Sequence, residues 1–85
     1  MVNNMQNNKY VRMCLDLKNY SAQVEIYDEK GRVQATNSYI GVKFVEAGGR
    51  VRIDIESLKL NPEVMCVFIE GTTTASFKDG VLKIG

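Results

Sequence analysis

Arg50 and Arg52 stand two residues apart in the stretch VEAGGRVRIDIE, followed at the same interval by Asp54 and Glu56. In an extended chain, residues at i, i+2 and i+4 share one face. The stretch therefore offers a basic pair and an acidic pair on one surface. The arginines could grip a phosphate or a carboxylate. Equally, they could pair with carboxylates on their own and neighbouring strands, Asp54 and Glu46 being nearest. Lys43 and Arg12 fall where neighbouring strands could extend the basic stripe, and Tyr39, with Tyr10, Tyr20 and Tyr27, could supply stacking surfaces. The candidate binding residues are thus Arg12, Lys43, Arg50, Arg52 and Tyr39.

Other chemistries find little support. The chain has no histidine, so the commonest general base and the usual zinc ligand are absent. Its two cysteines, Cys14 and Cys66, lack metal-knuckle or C-x-x-C spacing, and reduced core thiols are the expectation. Asp54 and Glu56 would sit about 7 Å apart on a strand, a spacing common on solvated faces. Gly48-Gly49 precedes neither a P-loop lysine nor a helical pattern. No catalytic residue, metal site or cofactor is expected.

These side chains need a scaffold, and the pattern that repeats along the chain has a period of two. Residues 10–18 place Val11, Met13, Leu15 and Leu17 on one face; residues 22–28 place Ala22, Val24 and Ile26 on one face. The segment DEKGR closes a hairpin at Gly31, and the chain returns through Val33–Ala35 and breaks near Asn37-Ser38. In YIGVKFVE, Ile40, Val42 and Phe44 are expected inward. Gly48-Gly49 reads as a two-residue hairpin turn leading to a strand with Val51, Ile53 and Ile55 inward. Asn61-Pro62 would open one helical turn, and Asp79-Gly80 is a further hairpin signal.

The run VMCVFIE, residues 64–70, is apolar on both faces. It suits a central strand, or one whose second face is covered by a partner. Met65, Val67 and Ile69 are the candidate interface residues. The overall expectation is an all-β fold: a small antiparallel β-sandwich or barrel of seven to eight short strands.

Residues 75–82, ASFKDGVL, resemble the Ala-x-x-x-Asn/Asp-Gly-Val-Leu signature near the end of the α-crystallin domain of small heat-shock proteins. That resemblance implies an all-β sandwich that assembles into oligomers. It spans eight of the 85 residues, and the family's other landmarks are not recognisable upstream, so no function is carried across.

Length sets the remaining bounds. Eighty-five residues and 9.6 kDa make one domain, with a folded surface of ~5,000 Å² against ~14,000 Å² for the extended chain. Residues 1–8 read as a disordered, Asn-rich lead and 9–85 as a single β domain. A net charge of +1 argues against a general polyanion binder. No apolar run is long enough to span a membrane, and with no secretion signal in the sequence the expected compartment is the cytoplasm.

The functional expectation is a non-enzymatic protein-binding or assembly module. It would be a homo-oligomeric accessory or inhibitor-type protein, of the kind phages also encode, whose partner is another protein or a second copy of itself. Two alternatives stand beside it: a β-barrel for single-stranded nucleic acid, and an oligomeric pocket protein capturing an anionic nucleotide-like ligand.

Overall fold

The computed structural model describes residues 9–85; the lead expected at 1–8 lies outside the described residues. Eight strands and one short helix follow in the order β1 (Tyr10–Asp16), β2 (Ser21–Tyr27), β3 (Val33–Ile40), β4 (Phe44–Ala47), β5 (Arg50–Ile53), α1 (Ile55–Leu60), β6 (Val64–Glu70), β7 (Ala75–Lys78) and β8 (Val81–Ile84). They form a five-stranded sheet, β3-β2-β1-β6-β5, and a three-stranded sheet, β4-β8-β7. The fold is the small all-β sandwich that the period-two pattern implies.

The alternation sets the core. Val11, Met13, Ala22, Val24, Val67 and Ile69 project from one face of the larger sheet. They meet Leu82, Ile84 and Val42 from the smaller side, and all nine are buried. Tyr39 and Phe77 close one flank of this core with ring centroids 5.3 Å apart.

The two proximal hairpins follow from turn chemistry. Asp28 accepts the backbone N–H groups of Lys30 and Arg32 and the side-chain amide of Gln34, while Gly31 takes φ +76°. Between β1 and β2, Asp16 does the same for Lys18 and Asn19. Short polar side chains that bond the backbone two residues on are what make such turns tight.

The structure departs from the sequence expectations at five places. The chain does not break at Asn37-Ser38: β3 runs from Val33 to Ile40 against β2, in continuous register over Ala35–Ile40 and with a bulge at Gln34. It turns at Gly41 instead, so Val42 alone of the expected inward trio is buried, and Ile40 and Phe44 are exposed. Gly48-Gly49 is not a hairpin turn. It carries the chain from one sheet to the other, because β4 pairs in parallel with β8 while β5 pairs with β6; the expectation of purely antiparallel pairing fails at that one ladder. Neither glycine has positive φ. Their smallness serves close packing: a side-chain carbon at Gly49 would run into the Glu70 carbonyl and the Thr72 methyl group. Ile55 is helical, because Asp54 caps α1 by accepting the Ser57 N–H. Asn61 and Pro62 end that helix rather than begin one.

The fifth departure is at the cysteines. β1 and β6 pair with Cys14 directly opposite Cys66, and the two are joined by a disulfide. Their separation of 52 residues gave no sign of this; only the register of two strands distant in sequence brings them together.

Candidate functional site

The face of the larger sheet turned away from the core carries the chemistry. The strand registers place Thr36, Glu25, Arg12, Phe68 and Arg52 in one row across all five strands. The adjacent row holds Tyr27, Tyr10, Glu70 and Arg50. Alternation then dictates that every second residue of β1, β5 and β6 joins this face.

Phe68 is the centre of the group. The Arg52 guanidinium lies over its ring, 4.6 Å from the centroid, and that of Arg12 lies at 5.8 Å. Tyr10 meets Phe68 edge-on with centroids 5.8 Å apart and stacks on Tyr27 at 4.6 Å with the planes nearly parallel. The result is a stripe of three aromatic rings ending in arginine. An open groove of about 750 Å³ lies at its Tyr10-Phe68-Arg52 end, lined also by Lys9, Glu70 and Thr73.

Carboxylates answer both of the inner arginines. Arg12 lies 3.5 Å from Glu25 and 3.5 Å from Asp54, and Arg52 pairs with Glu70 at 3.5 Å. The Tyr27 hydroxyl donates to Glu25. Burial of that phenol, followed by the nearby Glu25 charge, holds its pKa above the ordinary value of 10.0, so it stays a protonated donor. The stripe thus presents hydrogen-bonding and apolar surface with its positive charge already largely compensated.

The sequence candidates divide. Arg12, Arg50 and Arg52 share this face. Tyr39 does not: it points toward the core and packs on Phe77. Lys43 lies in the loop that leads into β4 of the smaller sheet, its stem against Gly80, and is not part of the outer face of the larger sheet. Met65, Val67 and Ile69, the candidate interface, face the core; Val67 and Ile69 are buried and Met65 packs against them. The expected pairing of Arg50 with Glu46 is not formed, since β4 and β5 belong to different sheets. Asp54 and Glu56 are not a strand-face pair, because one caps α1 and the other lies in its first turn.

Phe68 and Glu70 were missed. The signal available was their parity. In a strand apolar on both sides, one side must face the sandwich interior, and Phe68 falls opposite the Met65/Val67/Ile69 set.

Among the described residues, no three histidine, cysteine, aspartate or glutamate side chains gather as a metal site, and no helix is long and apolar enough to cross a membrane. The fold and this face define a small two-sheet β-sandwich with an aromatic-arginine surface. No family model matches the chain, and no curated protein or solved structure matches it either. The likeness to the α-crystallin signature stays confined to the β7–β8 hairpin.

Proposed function

We propose that the chain is a non-enzymatic protein-binding module of accessory or inhibitor type that docks its partner on the outer face of the larger sheet. The observation that carries this reading is the Tyr27-Tyr10-Phe68-Arg52 stripe with its groove. Tyrosine, phenylalanine and arginine are the residue types that dominate the energetic centres of protein interfaces. Here they sit on a rigid sheet, so little side-chain freedom is lost on association.

The compensated charge favours a protein over a polyanion. A groove for single-stranded nucleic acid needs free positive charge along the backbone path. Arg12 and Arg52 instead face Glu25, Asp54 and Glu70. The groove is open rather than enclosed, which also disfavours capture of a small nucleotide-like ligand. The Cys14–Cys66 disulfide fits an oxidising compartment better than the cytoplasm expected from the sequence.

The test is retention of proteins from the source cells on immobilised native chain and on Phe68→Ala and Arg52→Glu variants. A species held by the native chain and lost from both folded variants supports the reading; equal retention overturns it. Fluorescence anisotropy with single-stranded oligonucleotides at low salt is the second arm. Binding there that falls steeply with salt and vanishes in Arg52→Glu would replace the protein reading with the nucleic-acid one.

A further inference from the structure

The end strands of the two sheets are not alike. β5 is four residues long and carries Arg50 and Arg52; β4 carries Glu46 and β7 carries Lys78. Charges of this kind discourage edge-to-edge pairing. β3 is different: it is eight residues, VQATNSYI, with no charged residue and no proline, and its one bulge, at Gln34, lies near its start and leaves Ala35–Ile40 regular. Among the described residues, it pairs with β2 and has no strand on its other side. Among the described residues, no backbone group of Val33–Ile40 makes a hydrogen bond outside that ladder.

We propose that β3 is a self-association edge: two copies pair their β3 strands antiparallel about a two-fold axis near Asn37, joining two five-stranded sheets into one of ten. The strand suits its own copy. Pairing centred on Asn37 sets Thr36 opposite Ser38 and Ala35 opposite Tyr39, a hydroxyl against a hydroxyl and a small side chain against a ring. No charge meets its own image across the axis. Val33 and Ile40, at opposite ends of the strand, are 48% and 82% exposed and project from the same outer face. The two-fold brings Ile40 of each copy beside the Val33 end of the other, so each covers the other's apolar surface. An axis normal to the sheet also keeps both outer faces on one side, and a dimer would present two aromatic-arginine stripes side by side. The self-pairing does not depend on what those stripes bind.

Light scattering on the native chain from about 1 µM to about 1 mM, the range expected for a modest interface, should show the mass rising toward twice 9.6 kDa. Asn37 is exposed, so Asn37→Lys and Asn37→Glu should each fold and weaken the dimer at least tenfold, while mixing the two should restore it. If Asn37→Lys melts well below the native chain, Thr36→Lys, exposed on the other face of the strand, serves instead. A native chain that stays monomeric, or a dimer untouched by these variants, overturns the proposal. Dimers that form only when residues 1–8 are removed would assign the edge to that segment and overturn it equally.

Discussion

The Arg52 guanidinium lies 4.6 Å from the centroid of the Phe68 ring, while its Nε lies 3.5 Å from a Glu70 carboxylate oxygen. Arg52 is therefore held flat against the sheet by two neighbours on β6, one apolar and one charged. Its side chain is still 60% exposed, and such contacts each stabilise by only about 0.5–1 kcal/mol at the surface. Arg52→Ala should thus melt within a few degrees of the native chain. Its effect should appear in partner binding, because arginine positioned over a ring is poised for an interface rather than for folding. A large loss of stability, read by thermal unfolding, would show that the stripe is structural instead.

Reducing Cys14–Cys66 should destabilise the sandwich substantially. The bond closes a loop across 52 residues, for which the chain-entropy description gives about 4 kcal/mol. Urea unfolding with and without a phosphine reductant measures the difference. Identical midpoints, or two thiols titrated in the untreated native protein, would contradict the bond.

Gly49→Ala should be among the most damaging small substitutions. Its added carbon meets the Glu70 carbonyl, which is fixed backbone, and the Thr72 methyl group, and overpacking of this kind costs about 1–3 kcal/mol. At Gly31 there is open space, and Gly31→Ala should cost only the strain of positive φ, about 1 kcal/mol. Reversal of that order in denaturant midpoints would remove the close-approach account of the sheet crossing.

Acid should loosen the two Asp-anchored turns together. Hydrogen bonds from Asn19, its side chain first, hold the Asp16 pKa below the ordinary 3.8, and the backbone bond from Arg32 does the same first for Asp28. A carboxylate whose pKa is lower when folded stabilises fully above its unfolded pKa and loses that contribution as pH falls through the folded one. Stability should therefore hold down to about pH 4 and decline below it. Asp28→Asn keeps one acceptor for the turn but removes the charge, so its melting temperature should fall less between pH 4 and pH 2 than the native chain's. Parallel profiles would assign the acid sensitivity elsewhere.

Replacing Asp54 by alanine removes the α1 cap and one of the two carboxylates on Arg12. A loss of about 1 kcal/mol is expected from the cap. Asp54→Ser restores a capping oxygen without the charge, and thermal melts of the two variants separate the roles. Equal losses would place the whole effect in the Arg12 pair.

Residue order alone determined that the chain is built of short extended segments, which side of β1 and β2 is apolar, and where the chain turns at Gly31 and Asp79-Gly80. These are local matters: a period of two and a turn residue act within a few positions, and no distant contact is needed to decide them. It also placed Arg50 and Arg52 on one face. Tertiary structure decided everything that depends on which strand lies beside which. Gly48-Gly49 looks the same in sequence whether it turns a hairpin or crosses between sheets, and the crossing left Val51 and Ile53 half-exposed at the sheet margin. The choice of interior for the two-sided strand β6 put Met65, Val67 and Ile69 inside and Phe68 out under Arg52. The pairing of Cys14 with Cys66 came from that same ladder, since strands 52 residues apart acquire a register only when the sheet is assembled.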